Sequence, residues 1–139
     1  MIANQIKDYL VTKGEGTYGT NLFISRIPDT PDNAVCLYDE TGTVSDYQGD
    51  YGSDWVGLQV MVRGSYAWAS AKVWEIHNLI TGLHSIDQDD YHLVTSRTQT
   101  PPAQVDVDSK GRRVYSAHYM YLVAQKTNEN RIPVTITTS

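Results

Sequence analysis

Cys36 is the only cysteine in the 139 residues, so no disulfide can form within the chain and the fold must stand on packing. A lone cysteine suits a reducing compartment. Charge is sparse too: 19% of residues are charged and the net charge is −5. That balance argues against a nucleic-acid binder without sequence preference, whose affinity comes from a basic face that neutralises phosphates. No apolar run approaches the ~20 residues needed to cross a bilayer. Residues 1–8 lack the basic start and apolar stretch of a signal peptide, so synthesis and retention in the cytoplasm is the expectation, unless an assembly carries the chain elsewhere. What remains is the composition of a folded protein, 40% hydrophobic with ten tyrosines and three tryptophans spread throughout.

The hydrophobic pattern divides into two helices and about four to five strands. Ile2, Ile6, Tyr9 and Leu10 recur at helical spacing, and Gly14 and Gly16 supply a stop. Strands are expected at 21–27, closed by Pro28 and Pro31, then at 34–39 and at 57–63. Ser65 is a suitable N-cap for a second helix, in which Ala69, Val73, Ile76, Ile80 and Leu83 form one apolar stripe. About seventeen residues at ~1.5 Å each span roughly 25 Å, enough to cover one face of a small sheet. Further strands are expected at 91–97 and 112–125. The last carries Val114, His118, Met120 and Leu122 on one side, and Tyr115, Ala117, Tyr119, Tyr121 and Val123 on the other. A strand apolar on both faces is covered on both, and with only two helices the second cover is expected from another subunit. The order αβββαββ implies an α+β fold, one mixed and mainly antiparallel sheet packed by two helices. Residues 1–125 read as a single domain and 126–139 as a polar arm or mobile tail.

Two connections, 40–56 and 98–111, exceed the usual four to six residues. The first holds Tyr47, Asp50, Tyr51, Asp54 and Trp55, a mixture that suits a contact loop. A twisted hairpin extension packing its tyrosines on its own sheet is the alternative.

Motifs with a chemical look fail on context. Gly14-Glu15-Gly16-Thr17-Tyr18-Gly19 matches G-x-G-x-x-G, yet a helix precedes it and a strand follows, the reverse of what dinucleotide binding needs. Asp106-Val107-Asp108-Ser109-Lys110-Gly111 opens like a calcium loop but has Lys110 at position five and Ala117 at position twelve. Asp87, Asp89 and Asp90 could seat a magnesium ion, but lack a nearby His, Glu or basic partner. His77, His84, His92 and His118 show no zinc spacing. No catalytic residue, cofactor or metal is expected.

Three segments in order resemble a known family. Phe23-Ile24-x2-Ile27-Pro28-x2-Pro31-Asp32-Asn33-Ala34-Val35, then Gln59-Val60-Met61-Val62-Arg63-Gly64-Ser65-Tyr66, then Asp108-Ser109-Lys110-Gly111-Arg112-Arg113 before an aromatic strand, are similar to the tail terminator or "minor capsid" proteins of long-tailed bacteriophages. The resemblance spans roughly residues 2–125. It implies a virion subunit that forms a hexameric ring at the head-proximal end of the tail, stops tube polymerisation and presents the head-joining surface. Implied partners are further copies, the tail tube protein and the head–tail connector, with no membrane and no sequence-specific nucleic acid. Interface residues expected on this basis are Tyr47, Asp50, Tyr51, Asp54, Trp55, Arg63, Arg112, Arg113, Tyr115, Tyr119 and Tyr121, with the 112–125 strand and the long helix as the main surfaces. A head-completion or connector protein is the structural alternative. A small metal-dependent enzyme using Asp87, Asp89 and Asp90 is the alternative of another class.

Overall fold

In the computed structural model, residues 2–43, 53–87 and 91–125 are described. The elements are α1 (Ile2–Thr12), β1 (Leu22–Ile24), β2 (Ala34–Thr43), β3 (Ser53–Gly64), α2 (Tyr66–Ile80), β4 (Ile86–Asp87), β5 (Tyr91–Val107) and β6 (Arg113–Gln125). The strands form one sheet in the order β1-β2-β3-β6-β5-β4. β1 lies parallel to β2 and every other pair is antiparallel. The expected α+β class stands, with six strands in place of four or five.

Alternation decides which side chains enter the core. Val35 and Leu37 of β2, Leu58, Val60 and Val62 of β3, and Tyr115, Ala117, Tyr119, Tyr121 and Val123 of β6 share one face. Both helices pack there. α1 brings Ile2, Ile6 and Leu10, and α2 brings Ala69, Val73, Ile76 and Ile80, so the periodicities pick out the correct helical stripes. Ser65 caps α2 as expected, its side chain accepting from the Trp68 N–H.

Strand limits depart from expectation for local reasons. β1 keeps only three residues, because Ser25 takes a left-handed backbone (φ 66°) that leaves the ladder. β2 continues to Thr43 and β3 starts at Ser53, so both flanks of the expected 40–56 loop are paired strand. The polar residues there sit on a bulged ladder between Glu40 and Thr43. The 98–111 connection is likewise strand as far as Val107. Four register shifts keep the stretch in register with β6, and Pro101 and Pro102 fall in the one between Thr100 and Ala103, where no pairing is needed. That leaves a short turn in which the Asp108 N–H donates to the Arg112 carbonyl and the Gly111 N–H to the Asp108 carbonyl. Residues 44–52, 88–90 and 126–139, and with them the core of the expected contact loop and the expected arm, lie outside the described residues.

At the β2–β3 bulge the backbones approach closely. A Cβ on Gly42 would stand 1.8 Å from the Trp55 carbonyl oxygen, and one on Gly57 would stand 2.8 Å from that of Thr41. Gly57→Ala is therefore expected to lower stability by about 1–3 kcal/mol, measured by urea unfolding. Gly82→Ala, where a Cβ would meet nothing within 4 Å, pays only for its positive φ of 73° and provides the control.

Candidate assembly surface

The sheet face opposite the helices carries Cys36, Tyr38, Gln59, Met61, Arg63, Ser116, His118, Met120 and Leu122. Another subunit was the expected cover for this face, but the chain itself closes part of it: Cys36 is fully buried and Met120 is 2% exposed. At the Cys36 end the cover is the turn around residues 28–33, held by one side chain. Arg63 is 5% exposed, and its guanidinium donates to the carbonyl oxygens of Asp29 (3.3 Å), Pro31 (2.6 Å) and Asp32 (3.3 Å). A planar five-donor fork suits such a set of acceptors. Burial lowers the Arg63 pKa, and the nearby Arg112 adds to that, while the carboxylates of Asp108, Asp29 and Asp32 oppose it.

Arg112 braces the same turn from outside. Its Nη2 lies 2.9 Å from Asp29 Oδ1, its Nη1 3.2 Å from Asp32 Oδ1, and its Nε 2.7 Å from Asp108 Oδ2. Lys110 also bonds to Asp29, and this contact leads the causes that hold the Asp29 carboxyl below its usual range, with Arg112 next. Asp108 is lowered as well: burial opposes the shift, but hydrogen bonds from the Arg112 side chain and the Arg112 and Lys110 N–H groups outweigh it. Of the Asp106–Gly111 stretch, the part from Asp108 is thus an ion-paired turn, while Asp106 and Val107 close strand β5.

Further along the face, Gln59 Nε2 donates to Ser116 Oγ (2.9 Å), Ser116 Oγ lies 3.3 Å from His118 Nε2, and His118 Nδ1 lies 2.7 Å from Glu40 Oε1. This is the order of a serine–histidine–carboxylate relay. Ser116 is 4% exposed, however, and sits mid-strand between Met61 and Ala103, where its backbone belongs to the ladder and offers no donor pair for an oxyanion. The arrangement ties β2, β3 and β6 together across the sheet.

The expected interface residues separate accordingly. Tyr115, Tyr119 and Tyr121 are 7%, 1% and 0% exposed beneath the helices, so they are core and not surface for a neighbour. Burial raises the pKa of both Tyr119 and Tyr121, and Tyr119 Oη pairs with His77 Nδ1 at 2.7 Å. β6 lies between β3 and β5, so it has no free edge to offer. Arg63 and Arg112 are spent on the turn. Arg113 opens β6 opposite Gly64 and Val107, Asp54 stands opposite Val123, and the Arg97 guanidinium lies 4.7 Å over the Trp55 ring, all half-buried or exposed. Tyr47, Asp50 and Tyr51, like Asp89 and Asp90, are outside the described residues. Asp87 stands 3.5 Å from His92 Nδ1. Among the described residues no group of three His, Cys, Asp or Glu could hold a metal ion, and no helix is long and apolar enough to cross a membrane. The Gly14–Gly19 motif ends α1, with the Gly14 and Glu15 N–H groups donating to the carbonyls of Val11 and Leu10.

Of two exposed apolar surfaces, sequence reasoning missed the first, and for the second it named the long helix but not the residues. Among the described residues β5 pairs with β4 only at His92 and Leu93, and its outer edge has no strand partner from Thr95 onward, with Val105 60% and Val107 42% exposed. On α2, Tyr66 and Trp74 are 64% and 46% exposed. Step-four spacing from Tyr66 to Ser70 and Trp74 was a readable signal for the second surface; nothing in the sequence marks the first as an edge.

The family model described as bacteriophage tail terminator protein matches residues 9–123. The chain belongs to that family. Among solved structures the chain aligns with one from the virion of a native gene transfer agent particle, at 17% identity and TM-score 0.56, over 89% of this chain and 88% of that one. A second solved chain aligns at 13% identity and TM-score 0.51, over 91% and 93%. Both likenesses show the fold. No curated protein matches the sequence. Membership of that family makes this a structural tail protein of a bacteriophage.

Two measurements check the clamp and the core. Arg63→Leu takes this donor from the Pro31 and Asp32 carbonyls, while the Asp29 carbonyl keeps the Arg112 Nη1 donor (2.6 Å); the change is expected to cost about 2 kcal/mol or more in urea unfolding, and Arg63→Lys should recover less than half, since an ammonium cannot span the set. Burial lowers the His77 pKa below 6.5. The neutral imidazole's contribution is then fully present above about pH 6.5 and is lost as pH falls through the lowered folded value. Melting midpoints should accordingly drop between pH 7.5 and about pH 5, and drop less in His77→Gln.

Proposed function

We propose that this tail terminator is the subunit of a closed, hexameric ring that caps the tail tube at its head-proximal end, stops tube growth and offers the head-joining surface. The observation that carries the reading is the pair of unlike exposed patches on one subunit: the β5 edge with Val105 and Val107, and the outer side of α2 with Tyr66 and Trp74. A ring requires heterologous contacts, one patch meeting a different patch on the next copy. An isologous dimer needs only one. Stable contacts of this kind bury on the order of 1,600 Å², so the patches form the apolar centre of a wider surface to which Arg113, Asp54 and Trp55 belong. The tube protein, the connector and assembly in the host cytoplasm follow from the same reading. Structural assembly, not catalysis, is the activity.

The head-to-tail geometry has a distinctive test. Val105→Lys and Trp74→Glu should each abolish the ring in native mass spectrometry, with midpoints shifting by no more than exposed substitutions usually cause, about 0.5 kcal/mol. Mixed together, the two variants still own one intact interface between them and should give heterodimers but no rings. Mixtures that stay monomeric overturn the proposed pairing. Loss of the gene should yield overlong tubes; normal tails with open heads would favour a connector instead.

A further inference from the structure

Gln5, on α1, is 4% exposed, and neither its amide nitrogen nor its amide oxygen has a hydrogen-bond partner among the described residues. A buried carboxamide with both ends orphaned is costly and uncommon. The side chain lines a cavity of about 190 Å³. Ile6 and Tyr9 of α1 give it apolar walls, together with Leu83 and Ile86, which follow α2. Asp8 and Thr12 complete the lining and are exposed, so the cavity communicates with solvent past them. The volume is several times the ~30 Å³ that one water occupies in the liquid. A water bound to Gln5 would otherwise face hydrocarbon, short of the roughly two to four polar partners that a buried water keeps.

The two orphaned atoms narrow the chemistry of an occupant. The oxygen and the NH₂ of a glutamine leave the same end of the side chain, an acceptor beside a donor. A ligand meets both at once only with a donor beside an acceptor on one edge of its own. A carboxylate offers acceptors alone, and an ammonium donors alone. A trans peptide group points its N–H and C=O in opposite directions, so it reaches one atom of Gln5 and leaves the other orphaned. Primary carboxamides and lactams carry N–H and C=O on the same side, and close a ring of two hydrogen bonds with a second carboxamide. The apolar walls set the remainder, an uncharged aliphatic body of a few carbons.

We propose that this cavity binds a compact, uncharged ligand with a cis amide edge, a lactam or a primary carboxamide on a short aliphatic body, and that Gln5 recognises that edge through both of its polar atoms. The site is independent of the ring, since none of its lining residues belongs to the patches on α2 and β5.

Three amides of equal carbon number test it on the full chain: δ-valerolactam, pentanamide and the trans amide N-ethylpropanamide. Binding is followed in NMR spectra by the Gln5 side-chain NH₂ signal, assigned by its loss in Gln5→Met. At least one of the two cis amides should shift that signal saturably, with Kd on the order of 1 mM. It should bind about tenfold more tightly than N-ethylpropanamide, the difference that one lost hydrogen bond makes. Whichever of the two binds better tells a cyclic ligand from an open-chain one. Gln5→Met removes an orphaned amide, so its melting midpoint should not fall, and the preference for the cis edge should vanish, read from the methyl signals of Leu83 and Ile86. Should that variant fail to fold, Leu83→Trp plugs the cavity from its half-buried wall and should abolish binding of all three amides. No saturable shift with either cis amide, equal affinity for the trans amide, an undiminished preference in Gln5→Met, or undiminished binding in Leu83→Trp each overturns the proposal.

Discussion

Pairing of β3 with β6 runs through twelve consecutive positions, from Ser53 opposite Ala124 to Gly64 opposite Arg113, without a register shift. Because side chains alternate with a period of two, this one ladder fixes the facing of everything else. It turns Leu58, Val60 and Val62 to the same side as Tyr115, Ala117, Tyr119 and Tyr121, and the helices have a single apolar surface on which to pack. A slip of β6 by one residue would put its three tyrosines on the opposite side and Ser116 and His118 beneath the helices. The bulged ladders lie outside this pair, in β2–β3 near Glu40 and along β5, where irregularity does not disturb the core.

Fixing the core on one side creates a problem on the other. Cys36, Met61 and Met120 face away from both helices. The chain meets this with a turn instead of a third helix, and the turn needs an anchor because it has little apolar surface of its own. Arg63 supplies the anchor from the sheet and Arg112 braces it from the rim, so two cations set the position of a strand-linking segment through carbonyls and carboxylates. Residues that look available for a partner are thereby consumed within the subunit. Exposed apolar surface is left where packing stops: on the outer side of α2 and along the β5 edge.

That division agrees with the proposed ring, in which a subunit that meets copies of itself, the tube and the head benefits from a rigid interior and from contact surfaces at its margins. An edge strand is ordinarily a liability, and bulges, prolines and charge are the usual protections. β5 has all three in Pro101, Pro102, four register shifts and Asp106. They discourage indiscriminate pairing while leaving Val105 and Val107 presented.

Local pattern was enough to read both helices, the Ser65 cap, the facing of β6 and the α+β class, because those depend on periodicity and on capping chemistry carried by neighbouring residues. The Gly14–Gly19 and Asp106–Gly111 motifs were also legible as turns, since the elements on either side of them are set by the same local signals. The extent of β2, β3 and β5 was not legible. Polar residues and prolines that read as loop in isolation were held in strands by a partner ladder that the sequence does not display. Nor could the sequence separate an aromatic row that is covered from one that is offered: Tyr119 and Tyr121 have the composition of an interface and the position of a core. Their burial, and the commitment of Arg63 and Arg112 to one turn, depend on contacts between residues more than thirty positions apart. Only tertiary packing decides such contacts, because the free energy of covering a side chain belongs to the pair of elements that meet and to neither one alone.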